Sequence, residues 1–251
     1  MTDSPERDLR LVVVSAGVSD PSSSRLLADR IAGKSLELVG VSGAQASASV
    51  VELAPLAVEI ARATVSRFPS DQLQAAIERV AAADALIVST PIYKAGISGL
   101  FKSFVDLLDN DLLVAKPVLL AATAGTSRHA LVIDEQLRPL FGYMRALVLP
   151  TSVFAGPEDW AASELGERVD HAATELAVLV AAGVERHIAD RAWSAYQHQF
   201  AGNASRAART ANDIDFDTPL MRLSAGGTAS RTDQQPAGAL QPASPTEDNA
   251  S

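Results

Sequence analysis

A loop rich in proline, glycine and aromatic residues follows a short apolar stretch of the 251-residue chain. The apolar stretch, residues 85–88, is typical of a buried strand, and residues 99–108 have the spacing of an amphipathic helix. In the loop between them, Pro91 stiffens the backbone, Tyr93 offers an aromatic face and Gly96 lets the main chain approach a ligand. These residue types suit a flat aromatic ligand, and they suit an ordinary strand-to-helix connection equally well.

An earlier loop gathers hydroxyl groups at the start of a predicted helix. It holds four serines between residues 19 and 24, followed by Arg25. The free N–H groups and the dipole of a helix N-terminus favour an anion, and hydroxyl and guanidinium groups bind phosphate. The loop has neither a P-loop ending nor the Gly-x-Gly-x-x-Gly fingerprint, which disfavours an NTPase and a dinucleotide-binding Rossmann domain. Taken alone, it is interpreted more simply as serines that cap a helix.

A third loop of small residues, 123–129, follows another apolar stretch. Gly125 allows close backbone approach, Ser127 can cap the next helix, and His129 faces either a substrate or solvent. Each loop is a weak signal by itself. Together they predict an FMN site, in which the serine loop holds the phosphate and the other two loops hold the isoalloxazine ring.

Alternating apolar and amphipathic stretches supply the elements that must position these loops. We predict strands at 10–14, 49–53, 85–89, 117–122 and 146–153, and helices at 22–31, 69–80, 99–108, 128–141 and 162–187, with 60–68 as a further helical candidate. This alternation predicts an α/β fold, a flavodoxin-like three-layer sandwich with a five-stranded parallel sheet in the order 2-1-3-4-5. In that order the ends of strands one, three and four meet at the switch point, where ligands bind.

The composition changes near residue 200. We expect residues 1–200 to form the FMN-binding domain. Residues 201–223 form an extension whose apolar and acidic patch could dock on a neighbouring surface. Residues 224–251 have almost no large apolar side chain and are predicted to form a disordered tail.

Composition excludes several classes of function. The chain has no cysteine, so thiol catalysis and thiolate metal sites are excluded, and its four histidines form no ligand-like pair, so no metal is expected. A formal net charge of -9 argues against a nucleic-acid partner. No apolar run has the length of a membrane span, and the N-terminus does not resemble a secretory signal, so we expect a cytoplasmic protein.

Residues 15–25, 90–102, 122–131 and 136–141 resemble the NAD(P)H-dependent FMN reductases of the flavodoxin-like superfamily. The resemblance extends from about residue 9 to the end of the last predicted helix, and it is closest to actinobacterial reductase partners of flavin-dependent monooxygenases. One departure is that many relatives have two adjacent glycines where this chain has Ala124-Gly125. This departure weakens the assignment of a backbone contact at residue 124.

The resemblance implies a set of cofactor-binding residues. It implies that the phosphate is bound by Ser15, Ser22, Ser23, Ser24 and Arg25, with Gly17 in the same loop. It implies that Pro91, Ile92, Tyr93, Lys94 and Gly96 lie against the ring or the ribityl chain, and that Ala124, Gly125 and Thr126 border the other ring edge.

The implied activity is hydride transfer from NADH or NADPH to FMN, with the reduced flavin supplied to a possible monooxygenase partner. Because this transfer needs no side-chain acid or nucleophile, no catalytic residue is assigned. A quinone or azo reductase with tightly held FMN is an alternative enzyme. A flavodoxin-like electron carrier, or a nucleotide-binding regulator that lost its flavin, are alternatives of another class.

The predicted third helix and the loop before it carry many large apolar side chains. They are Ile92, Tyr93, Ile97, Phe101, Phe104, Leu107 and Leu108. This is more apolar surface than one helix face needs against a sheet. We therefore expect a second subunit to cover part of it, which would make the protein a homodimer or a homotetramer.

Overall fold

The computed structural model describes residues 8–192. The predicted domain boundary at residue 200, the extension 201–223 and the tail 224–251 lie outside the described residues. They stay predictions.

Seven strands form one sheet within the described part of the chain. Their bounds are β1 Leu9–Ser15, β2 Ala46–Glu52, β3 Ala85–Tyr93, β4 Gly96–Ile97, β5 Pro117–Thr123, β6 Leu147–Val148 and β7 Val153–Ala155. The parallel strands follow the order β2-β1-β3-β5-β6. Because β5 is the predicted fourth strand and β6 lies within the predicted fifth, this order confirms the flavodoxin-like order 2-1-3-4-5.

The sheet has two strands more than predicted. After Tyr93 the chain turns back, and β4 pairs antiparallel with the end of β3. The predicted single strand 146–153 is wrong: β6 pairs with the start of β5, whereas β7 pairs with its end. Pro150 lies between β6 and β7 and has no N–H to donate to a strand ladder, which explains the division.

Helices cover both faces of the sheet. Their bounds are α1 Ser23–Val41, α2 Ala57–Ser66, α3 Asp71–Ala82, α4 Gly99–Val105, α5 Arg138–Tyr143, α6 Ser163–Ala181 and α7 Val184–Ala192. The predicted helix 162–187 is divided because Gly183 adopts a φ of +60°, a conformation that ends helices. The predicted helix 128–141 consists of a 3₁₀ turn, Ser127–His129, a π-helix, Ile133–Leu137, and the short α5.

Alternation along the strands divides the core into two layers. In β1, Leu11 and Val13 point to the side of α1 and α6, whereas Val12 and Val14 point to the side of α3, α4 and α5. Complete burial of a leucine or phenylalanine side chain stabilises a fold by about 1.5–3 kcal/mol. This two-sided burial explains the continuous apolar runs at residues 11–14, 85–88 and 117–122.

The apolar side chains of α4 do not leave a surplus of exposed surface. Phe101 and Phe104 are at most 1% exposed, and Leu107 and Leu108, just after the helix, are at most 8% exposed. All four lie in the core of the same chain, so the argument from this helix to a second subunit is wrong. Tyr93 remains exposed.

Within residues 8–192, no helix combines the length and hydropathy that crossing a membrane requires. The same residues contain no cluster of three or more His, Cys, Asp or Glu side chains with metal-binding geometry.

Candidate functional site

The register of the sheet brings three loops to one edge. Ser15, the last residue of β1, is paired with Ser89 of β3, and Pro91 of β3 is paired with Thr123 at the end of β5. The carboxyl ends of β1, β3 and β5 are therefore neighbours. The loops that follow these strands are the three loops predicted from the sequence to bind a ligand.

The serine loop enters α1 through a side-chain cap. Ser22 is the N-cap, and its Oγ accepts a hydrogen bond from the Arg25 N–H at 3.2 Å. Ser23 and Ser24 occupy the first turn, where backbone N–H groups have no partner within the helix. The loop passes so close to itself that a Cβ on Gly17 would lie 1.8 Å from the Ser22 Oγ. Only glycine fits at position 17 without displacing the cap.

Side-chain hydroxyl groups join this loop to the rest of the edge. The Ser24 and Thr123 hydroxyl oxygens are 2.7 Å apart, and the Ser23 hydroxyl donates to the Thr123 oxygen at 3.4 Å. Beneath them, the Ser89 hydroxyl donates to the Ser24 carbonyl at 2.8 Å. These bonds fix the start of α1 relative to β3 and β5. Ser15 is also buried, and its carbonyl accepts from the Leu53 N–H at 2.9 Å.

Arg25 binds carboxylates of its own chain. Its Nε donates to Asp29 at 2.8 Å, and its Nη1 donates to Glu52 at the end of β2. The hydrogen bond to Asp29, and secondarily the one to Glu52, raises the pKa of the Arg25 guanidinium. The guanidinium, which carries its charge throughout the physiological pH range, is shared by two carboxylates beside the serine loop.

The loop after β3 forms a tight hairpin. Pro91 and Ile92 are buried, whereas the Tyr93 residue is 52% exposed. Lys94 and Ala95 adopt φ values of +52° and +62°, and Gly96 pairs with Tyr93. The hairpin thus presents one aromatic ring at the surface, next to two apolar side chains that belong to the core.

The loop after β5 is held by its neighbour. The Ala124 N–H donates to the Ala155 carbonyl at 3.3 Å, so the loop runs beside the end of β7. Gly125 is exposed, and Thr126 accepts a hydrogen bond from the Arg128 N–H at 3.4 Å. Thr126 therefore caps the turn Ser127–His129.

The three loops enclose an open cleft of about 500 Å³. The predicted residues that line it are Gly17, Ser22, Ser23, Ser24, Pro91, Ile92, Tyr93, Ala124 and Gly125. Ser15 lies beneath the loop, and Arg25, Lys94, Gly96 and Thr126 lie outside the lining.

Sequence reasoning missed one wall of the cleft. Ala155, Pro157 and Trp160 line it from the loop after β7, and Val18, Ser19 and Thr123 complete the lining. Trp160 lies in the 3₁₀ helix Pro157–Ala161, which begins with a hydrogen bond from the Gly156 N–H to Asp159 Oδ2 at 2.7 Å. A signal was available, because a fifth strand beside β5 must end at the same edge of the sheet.

Several known proteins are similar to this chain. The profile of a family described as NADPH-dependent FMN reductase matches residues 9–161, more than half of the chain. An FMN reductase (NADPH) of Pseudomonas aeruginosa is 37% identical over 154 residues, which is 60% of this chain and 78% of that protein. The NADH-dependent FMN reductase SfnE of Pseudomonas putida is 41% identical over 157 residues, 61% of this chain and 80% of that protein.

A solved structure is also similar. An oxidoreductase from Corynebacterium diphtheriae superposes with a TM-score of 0.67 and 43% sequence identity, over 69% of this chain and 97% of that one. The family profile, which matches residues 9–161, includes every loop of the cleft up to Trp160. The chain therefore belongs to the NADPH-dependent FMN reductase family.

Proposed function

We propose that the cleft binds FMN, with the phosphate at the start of α1 and the ring between the Tyr93 hairpin and the Ala124-Gly125 loop. The donor set supports this orientation. Ser22, Ser23 and the first-turn N–H groups offer neutral hydrogen-bond donors at one end. Pro91, Ile92, Tyr93 and Trp160 offer apolar and aromatic surface along the cleft. Its volume of about 500 Å³ is in the range of small-molecule sites.

As a family member, the chain is an NAD(P)H-dependent oxidoreductase. Bound FMN supplies a ring that can take up a hydride from a reduced nicotinamide. Among the described residues that line the cleft, Tyr93 is the one ionisable side chain. The side chains of the lining can therefore orient a flavin ring, and the backbone of its loops can approach that ring closely. None of these side chains is a strong acid or base. We assign no catalytic residue, because orientation is the contribution that this lining can make.

One experiment tests the activity and the site together. Purified protein is supplied with FMN, and oxidation of NADH and of NADPH is followed by absorbance. Tyr93→Ala should raise the KM for FMN, whereas Tyr143→Ala should not, although Tyr143 is the more exposed tyrosine, at 69% against 52%. No oxidation of either nicotinamide would refute the function, and equal effects of both substitutions would refute the position of the site.

We further propose that FMN exchanges during turnover and that the reduced flavin passes to a flavin-dependent monooxygenase. The open rim of the cleft supports exchange, because Val18 and Tyr93 are more than half exposed. Gel filtration of FMN-loaded protein should separate flavin from protein, and activity should need added FMN. Retention of stoichiometric flavin would favour the alternative quinone or azo reductase. Family membership argues against the electron carrier.

A further inference from the structure

The side-chain amide of Gln136 binds the hairpin on both sides of Gly96. The Ile97 N–H donates to Gln136 Oε1 at 3.0 Å, and Gln136 Nε2 donates to the Ala95 carbonyl at 3.1 Å. A backbone N–H can only donate and a carbonyl can only accept, so the two partners fix the orientation of the amide. A carboxylate of the same shape could make the first bond but not the second.

The other contacts that hold the hairpin lie at its base, where the Ser98 N–H donates to Thr90 Oγ1 at 3.3 Å and Ile92 is buried, and not at its turn. Its two-residue turn, Lys94-Ala95, has positive φ at both positions, a conformation that Asn and Gly adopt readily and Lys and Ala do not. β4 has only two residues, which pair with Ile92 and Tyr93. A short two-stranded hairpin with an unfavourable turn is unstable without outside contacts.

The π-helix places Gln136 against the hairpin. Ile133 and Leu137 are buried in the core and anchor this segment, and the Arg138 N–H donates to the Ile133 carbonyl five residues back. Pro139 follows at once and has no N–H, so regular α-helical bonding cannot continue through it. Single π turns of this kind occur frequently at functional sites.

We propose that Gln136 is a positioning residue, which holds the Lys94-Ala95 turn closed so that Tyr93 stays at the rim of the cleft. Gln136 itself does not line the cleft, whereas Tyr93 does. Gln136 therefore acts on a bound ligand through the hairpin. The inference rests on the proposed function in one respect, since the consequence for FMN requires that FMN binds in this cleft.

The first test needs no flavin. Lys94 is exposed at the tip of the turn and is therefore within reach of trypsin. Because the tight turn does not fit the extended backbone that a protease active site requires, trypsin should cut after Lys94 only when the hairpin opens. Gln136→Ala and Gln136→Glu should accelerate cleavage at this bond about tenfold, the effect of losing one to two net hydrogen bonds. Glu135→Gln, an isosteric change at the exposed neighbour, should leave the rate unchanged. Ala95→Gly in the Gln136→Ala background should restore slow cleavage, because glycine adopts positive φ without strain.

The second test measures FMN. Gln136→Ala should raise the Kd of FMN and alter the visible spectrum of the bound flavin, and Ala95→Gly should reverse both effects. In a Tyr93→Ala background, Gln136→Ala should cause little further loss of affinity, because the two residues act through one contact. Thermal melting of each variant separates these effects from a general loss of stability.

The outcomes separate this inference from the proposed function. Unchanged cleavage after Lys94 in both Gln136 variants would show that the amide does not hold the hairpin. Faster cleavage with unchanged FMN affinity and spectrum would show that the two Gln136 hydrogen bonds stabilise the hairpin without affecting the ligand, and would also overturn the inference. Failure of the wild-type protein to bind FMN would instead refute the proposed function. The proteolysis result would still show whether Gln136 holds the hairpin closed.

Discussion

Substitution of Gly17 tests the phosphate end of the cleft at its tightest point. An alanine Cβ at this position would lie 1.8 Å from the Ser22 Oγ and 2.9 Å from the Ser22 Cβ, whereas real Cβ contacts essentially never fall below 3.0 Å. Ser22 must therefore move. Because its Oγ caps α1 through the Arg25 N–H, its displacement removes the cap as well.

The expected magnitude follows from these two effects. Loss of an N-cap costs about 1 kcal/mol, and overpacking costs about 1–3 kcal/mol, so Gly17→Ala should destabilise the fold by about 2–4 kcal/mol. With a urea slope of about 2 kcal/mol/M, the unfolding midpoint should fall by about 1–2 M. The Kd of FMN should rise about tenfold or more, and that of riboflavin should rise less, because the displaced turn would bind the phosphate.

Two further variants make the test specific. Gly33 lies in α1 with no atom near its hypothetical Cβ, so Gly33→Ala should raise the free energy of unfolding by about 0.5–1 kcal/mol. Ser22→Gly removes both clashing atoms and leaves the Ser24 Cβ at 3.4 Å as the nearest. Gly17→Ala combined with Ser22→Gly should then be within a few tenths of a kcal/mol of Ser22→Gly alone. A Gly17→Ala protein with the wild-type midpoint would refute the reasoning, as would failure of Ser22→Gly to relieve it.

Four further outcomes are expected. Arg25→Ala should weaken the binding of FMN more than that of riboflavin, because it leaves the charges of Asp29 and Glu52 uncompensated beside the serine loop. Equal losses of affinity for the two flavins in fluorescence titrations would exclude this loop as the phosphate site. Glu52→Gln should strengthen FMN binding, because it releases the guanidinium towards the phosphate, and a weaker complex in the same titration would contradict this. Deletion of residues 224–251 should leave melting temperature and activity unchanged, since the segment has almost no core-forming side chain, and a clear drop in melting temperature would contradict it. The homodimer or homotetramer stays a prediction without support from α4: dilution should lower light-scattering mass and activity together, and a fully active monomer would contradict it.

The sheet and its order could be predicted because parallel strands that are buried on both faces have continuous apolar sequences. β5 is the best example, with six consecutive apolar residues, all buried, before Thr123. Three of the four walls of the cleft were predicted from the residue types of their loops, and this order places those loops at one edge of the sheet. The fourth wall was missed although a fifth strand beside β5 must end at this edge. β6 and β7 have two and three residues, too few for a periodicity to indicate where the strand ends.

The details that control the loops could not be predicted, because they join residues far apart in sequence. The turn at Lys94-Ala95 has no Asn or Gly to announce it, and its conformation depends on Gln136, 41 residues beyond Ala95. The π-helix breaks the expected helical period just before Pro139. The partner of Arg25, Glu52, is 27 residues away and is brought close only by the pairing of Ser15 with Glu52 between β1 and β2.

The Arg25 ion pairs bear on how a flavin phosphate would be held. With Asp29 and Glu52 sharing one guanidinium, the donors that face the cleft are the Ser22 and Ser23 hydroxyls and the first-turn N–H groups. A hydrogen bond with one charged partner contributes about 1.5–3 kcal/mol, so neutral donors are enough to bind a charged phosphate. A phosphate bound by these neutral donors gains from its own charge and from the helix dipole, but it lacks a guanidinium of its own. We expect such a site to select a phosphorylated flavin over an unphosphorylated one and still to release it, as the proposed exchange of FMN requires.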